Sequence, residues 1–350
     1  MNKMNQDELY MKRCLQLAQQ AEGYTAPNPM VGAVIVCDNV VIGEGYHQGC
    51  GEPHAEVNAI CSVKDQNLLN KSTIYVNLEP CSHYGKTPPC AQLIIDKKIP
   101  RVVIGMGDPN PKVNGKGIQL LRDAGVDIIE NVLLRECQLL NKRFLTMHTK
   151  KRPFIMLKWA ETQDGFIDIL RTTSETSPLR ISNEVTKTLN HQIRSVESAI
   201  LVGTNTALLD NPHLTSRKWS GRNPVRMVID KTLRIPLDYH LYDESTSTVI
   251  FTDKTVESKE NTTFVKLDFS HNIVSQIVDY LYQVNLSSLI VEGGTQLLQA
   301  FIDTHLWDEV HVETSPIVIG TGVKAPKVTM KTVETKWYDE NKMVIGVPVV

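Results

Sequence analysis

The chain has 350 residues, a formal charge of −2 and 41% hydrophobic residues, an ordinary globular composition long enough for two domains. It carries no basic block or arginine-rich arm, which argues against nucleic acid as a partner, because neutralising phosphates takes concentrated Lys and Arg. No apolar run reaches membrane-spanning length and the polar start, Met1 to Gln6, lacks the apolar segment of a signal peptide, so a cytoplasmic protein with no membrane partner is expected. The seven scattered cysteines fit reduced thiols.

Asp7 to Gln20 has helical spacing, with Leu9, Met11, Cys14, Leu15 and Leu17 near one face. The turn-rich Thr25–Pro29 follows, then short apolar runs at Val31–Val36 and Val40–Ile42, separated by Cys37-Asp38-Asn39 and read as a hairpin. The pattern then predicts helix His54–Ser62, strand Thr73–Leu78, helix Cys90–Lys98, strand Val102–Ile104, helix Gly117–Ala124, strand Val126–Ile129 and a closing helix Leu133–Thr146. That alternation implies a three-layer α/β sandwich.

A short basic stretch ending in Pro153 reads as a linker, giving expected domains at 1–148 and 153–350. A second α/β pattern begins there. It predicts strand Phe154–Trp159, an irregular region, helix Asn183–Arg194, and strands Ser198–Val202, Val225–Ile229 and Thr248–Phe251. Helix Asn272–Tyr282, strand Ser288–Val291 and helix Gln296–Ile302 follow; the tail from about Lys331 carries little signal.

The chemistry concentrates between His54 and Cys90. The chain reads H-A-E at His54, Ala55 and Glu56, then P-C-S-H-Y-G-K-T-P-P-C from Pro80 to Cys90. One imidazole and two thiolates, His54, Cys81 and Cys90, are the three protein ligands of a catalytic zinc that keeps its fourth position for water. Zinc lowers the pKa of such water towards neutrality, and Glu56 stands free as proton shuttle. The H-x-E…P-C…C arrangement is that of zinc deaminases acting on nucleobase-like rings. The cysteines are spaced C-x8-C, so Cys81 follows a strand and Cys90 opens a helix after a loop. A structural zinc would need a fourth protein ligand, for which His47, Cys50 and His83 are near in sequence; His47 and His83 also suit a substrate pocket or an ordinary surface.

In the second half, strand Ser288–Val291 runs into Glu292-Gly293-Gly294-Thr295 and a helix, a turn whose amide groups suit a phosphate or diphosphate but which also serves as a plain tight turn. It is not the G-x-G-x-x-G dinucleotide fingerprint. The segment from Val202 to Arg217 places Thr204, Thr206, Asp210 and Arg217 on one long loop. Arg194 and Arg217 suit a bidentate phosphate clamp, or a helix face and a loop ion pair.

On these residues the chain resembles the bifunctional deaminase–reductase family of riboflavin biosynthesis over nearly its whole length. The first half carries P-N-P-M-V-G-A-V-I-V, G-E-G-Y-H-Q-G, H-A-E and the long P-C…P-P-C, whose extended cysteine spacing is that family's own. The second half carries L-V-G-T-N-T-A-L-L-D-N-P-H-L-T-S-R and V-E-G-G. The resemblance implies a cytidine-deaminase-like three-layer sandwich followed by a dihydrofolate-reductase-like α/β domain. It implies zinc-hydroxide deamination of 2,5-diamino-6-(5-phosphoribosylamino)pyrimidin-4(3H)-one, then NADPH-dependent reduction of the ribosyl chain to ribityl. By position it makes His54, Cys81 and Cys90 the ligands of Zn2+, and Glu56 catalytic. Asn28 and His47 line the pyrimidine pocket. Lys158, Arg194, Leu214, Arg217 and Glu292 meet the reductase substrate, and Thr206, Asp210, Gly294 and Thr295 meet NADPH. A homo-oligomer is expected.

Two positions depart from the family. Where it has S-L-D-G, this chain has Thr162-Gln163-Asp164-Gly165; where it has a cofactor-contacting tryptophan before I-S or I-T, Arg180 precedes Ile181-Ser182, and that contact is not carried over. The alternative is therefore a deaminase with an inactive or binding-only C-terminal domain. A tRNA-editing deaminase would show a basic face and no reductase motifs, and a zinc-stabilised scaffold would lack Glu56.

Overall fold

The computed structural model describes residues 5–82, 88–110 and 113–349. The chain divides into two compact units, Met1–Lys151 and Arg152–Val350. No helix among the described residues is long and apolar enough to cross a membrane.

The first unit runs α1 (Gln6–Gln19), β1 (Gly32–Cys37), β2 (Val40–Tyr46), α2 (Ala55–Ser62), β3 (Thr73–Val76), α3 (Cys90–Asp96), β4 (Arg101–Ile104), α4 (Lys116–Asp123), β5 (Asp127–Ile129), α5 (Leu134–Leu140) and α6 (Lys142–Thr149). Its sheet has the order β2-β1-β3-β4-β5, with β1 antiparallel to both neighbours and β3, β4 and β5 parallel. Two glycines show the layers. A Cβ on Gly32 would meet the Cys14 carbonyl oxygen of α1 at 2.1 Å, and one on Gly45 would meet the Ala59 nitrogen of α2 at 2.3 Å. Gly45 pairs with Ala33, the neighbour of Gly32, so these glycines face opposite sides and α1 and α2 cover opposite faces. The three-layer sandwich is therefore present, with an apolar core from Met11, Val34, Ile35, Ile74, Ile94, Val103 and Leu121.

One expectation needs correction here. The single helix read over Leu133–Thr146 is two helices, α5 and α6, parted at Asn141. The Asn141 side chain is turned to Met30, accepting its N–H at 2.8 Å and donating to its carbonyl at 2.9 Å. A buried contact 111 residues away thus interrupts a locally helical pattern.

The second unit runs β6 (Phe154–Glu161), β7 (Phe166–Asp168), α7 (Glu184–Val196), β8 (Ala199–Gly203), α8 (Thr204–Asp210), β9 (Val225–Ile229), β10 (Thr248–Thr252), β11 (Thr262–Lys266), α9 (Ile273–Gln283), β12 (Ser288–Glu292), α10 (Thr295–Asp303), β13 (Glu309–Thr314), β14 (Val323–Lys324), β15 (Met330–Tyr338) and β16 (Asn341–Pro348). Its main sheet has the order β11-β10-β9-β8-β12-β6-β13-β16-β15. The first seven of these strands are mutually parallel, and β6, β8, β9, β10 and β12 among them are mostly apolar and buried, as strands covered on both faces are. Alternate residues feed separate cores: Leu201, Met227, Phe251 and Val291 pack with α9 and α10, while Ile200, Val228, Ile250 and Ile290 pack with Ala207 and Leu214.

The segment from Val202 to Arg217, read as one long loop, contains α8; its hydroxyls and asparagine hid a short helix whose buried Ala207 docks on the sheet. The uninformative tail is the antiparallel hairpin β15–β16, joined to the sheet through β13. Seven successive exposed residues in β15 leave no alternation for a sequence reading to find.

Candidate metal centre and reductase site

In the first unit, β3 delivers Cys81 shortly after its end, and two helix starts supply the other groups. His54 is the N-cap of α2, Glu56 lies in the first turn of that helix, and Cys90 opens α3. The His54 Nδ1 atom lies 3.6 Å from the Cys81 sulfur and 3.3 Å from that of Cys90. All three donor atoms fall within 4.8 Å of one another. Nitrogen and sulfur ligands on one tetrahedral zinc stand about 3.6 Å apart, given their ordinary bond lengths. The donor set therefore fits the metal, with Nδ1 as the coordinating nitrogen.

Local electrostatics support a thiolate at Cys81. The Cys90 N–H at the start of α3 donates to the Cys81 sulfur at 3.3 Å. The hydrogen bond with the Cys90 thiol, aided by His54, pulls Cys81 down to about 4. Cys90 shifts the opposite way, pushed up by Cys81 and by burial. Glu56 is 3% exposed, and burial, reinforced by the charge of Cys81, raises its carboxyl to about 7. A group poised near neutrality both takes and gives protons efficiently.

Asn28 and His47 are brought together, Asn28 Nδ2 lying 3.3 Å from His47 Nε2. The other His47 nitrogen faces the Pro53 carbonyl at 3.1 Å, and its ring meets that of His54 edge-on at 5.6 Å. Burial holds His47 below its ordinary value. As for a fourth protein ligand, Cys50 is exposed and is not part of the cluster, and His83 lies outside the described residues. The sequence reading passed over Asn77, which is fully buried, accepts the Gly32 N–H at 2.8 Å and donates to the Met30 carbonyl at 3.0 Å. The signal for it was a polar residue at the end of an apolar strand.

In the second unit the candidate residues gather at the carboxyl ends of parallel strands, where open α/β sheets bind ligands. Lys158 on β6 pairs in register with Glu292, the last residue of β12. Burial lowers Lys158, opposed by Glu292 and Glu313. Burial pushes Glu292 up, but Arg194 and Lys158 together outweigh it and hold the carboxyl below its ordinary value. Arg194 is committed to Glu292 and leans on the Thr215 carbonyl at 3.4 Å, whereas Arg217 is exposed with no hydrogen-bond or ion-pair partner among the described residues. Of the two arginines, only Arg217 is free for a phosphate. Leu214 is buried with φ of 54°, a strained left-handed backbone for a branched residue.

The Gly293-Gly294 turn lies against α8: Cβ atoms there would meet Thr206 at 3.1 and 3.3 Å. Thr206 and Gly294 therefore adjoin. The Thr295 hydroxyl donates to the Lys324 carbonyl. Asp210, at the end of α8, is paired to Arg171 at 2.5 Å. Arg171 also binds Asp168 and the carbonyls of Thr176 and Leu209, so it ties the segment around Thr176, which leads to Arg180, to Asp210. Nothing local in the sequence marked Arg171.

Residues 4–106 match the family described as the cytidine and deoxycytidylate deaminase zinc-binding region, and residues 153–344 match the RibD C-terminal domain. The chain is 37% identical to the riboflavin biosynthesis protein RibD of Aquifex aeolicus, covering 94% of this chain and 92% of that protein. It is 38% identical to the RibD of Synechocystis, covering 92% and 88%. The crystal structure of a diaminohydroxyphosphoribosylaminopyrimidine deaminase/5-amino-6-(5-phosphoribosylamino)uracil reductase from Thermotoga maritima superposes with a TM-score of 0.90, at 36% identity, over 98% of this chain and 99% of that one. The chain belongs to the RibD family of riboflavin-biosynthesis proteins.

Proposed function

We propose that residues 1–148 deaminate 2,5-diamino-6-(5-phosphoribosylamino)pyrimidin-4(3H)-one and that residues 153–350 then reduce the ribosyl chain of the product. As a family member the chain is a bifunctional deaminase and reductase, with Zn2+ and NADPH as cofactors. The observation that carries the residue assignment is the convergence of His54, Cys81 and Cys90 beside a buried Glu56 raised to about 7.

His54, Cys81 and Cys90 would hold the zinc, which when bound would supply Lewis acidity near neutral pH. Glu56 takes one proton from the attacking water and delivers it to the ring nitrogen, then takes the remaining proton of the added hydroxyl and passes it to the amine, which leaves as ammonia as the carbonyl forms. Asn28 and His47 orient the pyrimidine through their polar edges. In the reductase, NADPH supplies the reducing equivalents. Thr206, Asp210, Gly294 and Thr295 seat it, while Lys158, Leu214, Arg217 and Glu292 hold the phosphoribosyl substrate, with Arg194 keeping Glu292 ionised. A cytoplasmic homo-oligomer that binds no nucleic acid completes the proposal; light scattering tests its size.

The decisive assay gives zinc-loaded protein the diaminopyrimidine and follows ammonia release and NADPH absorbance together. Both signals are expected. Ammonia without NADPH oxidation would limit the chain to the first step.

A further inference from the structure

The chain entering the metal centre carries Asn77, Glu79 and Cys81 at alternate positions. Asn77 holds the Met30–Gly32 segment, and Glu79 holds a different one. Its carboxylate, 3% exposed, accepts four backbone N–H bonds. Oε1 takes Gly117 at 3.0 Å and Ile118 at 3.3 Å; Oε2 takes Gly115 at 3.0 Å and Asp108 at 3.1 Å. Gly115 is the N-cap of α4 and Gly117 and Ile118 lie in its first turn, where N–H groups have no intrahelical acceptor and favour negative charge. The contact is close: a Cβ on Gly117 would meet the Pro80 carbonyl oxygen at 2.0 Å. Pro80 is the residue between Glu79 and the Cys81 ligand.

We propose that Glu79 is a positioning residue of the deaminase, binding the start of α4 and Asp108 so as to fix the backbone that presents the Cys81 sulfur to the metal. It rests on the reading of His54, Cys81 and Cys90 as ligands. A carboxylate is the one side chain of this length with lone pairs for four donors. Glutamine offers a single acceptor oxygen and turns its NH2 against the remaining N–H groups, so the strand end loses its hold. Aspartate keeps the charge with a shorter reach. Groups that orient metal ligands from outside are typically worth about 10–100-fold in metal affinity.

The test compares wild type, Glu79→Gln and Glu79→Asp, each checked for folding by circular dichroism. Zinc affinity is measured by chelator competition and ligand geometry by the thiolate-to-metal absorption of the Co2+-loaded protein. The expected result is zinc binding weakened on the order of 10-fold in Glu79→Gln, with a displaced cobalt band and partial rescue by Glu79→Asp. A merely structural glutamate would lower stability and leave that band unmoved, so a folded Glu79→Gln with wild-type affinity and spectrum overturns the proposal. Should Glu79→Gln fail to fold, amide exchange in the wild type decides. Removing zinc should speed exchange at Gly115, Gly117 and Ile118, and unchanged rates overturn the coupling. A wild-type protein that holds no zinc overturns the metal-centre reading itself, a separate failure.

Discussion

Arg194 closes its guanidinium on Glu292 in a two-point grip, Nε to Oε1 at 3.2 Å and Nη2 to Oε2 at 2.5 Å. Since Glu292 is held below its ordinary value, it contributes stability that is complete above the unfolded carboxylate pKa, about 4.3, and is lost as pH falls through the lower folded value. Glu292→Gln leaves Arg194 and Lys158 without their shared carboxylate and should cost on the order of 3 kcal/mol at neutral pH. The gap between variant and wild type should shrink as pH drops below about 4. Urea unfolding of both proteins across that range checks the sign; a gap independent of pH counts against it.

Glu56→Gln removes the proposed proton shuttle and keeps the proposed ligand set. Deamination should fall by about 10²–10⁴-fold in kcat, with zinc content by mass spectrometry unchanged. Loss of zinc in the variant would make Glu56 structural. Chelation of the wild type should silence ammonia release reversibly, while NADPH oxidation with the deaminated substrate continues.

Arg217 is exposed and unpaired among the described residues. Burial and the nearby Arg194 charge lower its pKa, a cost that an anion would relieve. Arg217→Ala should raise the reductase KM for its phosphorylated substrate roughly 10-fold, about 1.4 kcal/mol, with kcat little changed. Steady-state kinetics that show no change in KM would remove Arg217 from the phosphate contact.

Arg171 is the tie between Asp210 and the segment around Thr176, its side chain only 3% exposed. Arg171→Met leaves Asp168 and Asp210 uncompensated and frees that segment. The NADPH KM should rise several-fold more than the pyrimidine KM. Equal effects on both would point to general destabilisation.

The metal centre was the most legible part of the chain because its information is local. His54 and Glu56 sit two apart at a helix start, Cys81 follows a strand and Cys90 opens a helix, and each placement is visible in neighbouring residues. Five of the seven parallel strands were legible for the same reason, since burial on both faces writes a continuous apolar run; β11 and β13, with polar residues at half or more of their positions, were missed. Exposed β15 wrote no pattern, and polar α8 wrote the wrong one.

By itself, the sequence determined the two α/β units, the cluster of His54, Cys81 and Cys90 and the family, and it pointed to Glu56 as the carboxylate beside that cluster. Only the tertiary structure decided which polar groups meet: Asn141 with Met30, Glu79 with α4, Arg194 with Glu292, Arg171 with Asp210. Periodicity records which face of an element is apolar. It carries no address for a buried hydrogen-bonding partner dozens of residues away, because that pairing exists only once the elements between have packed.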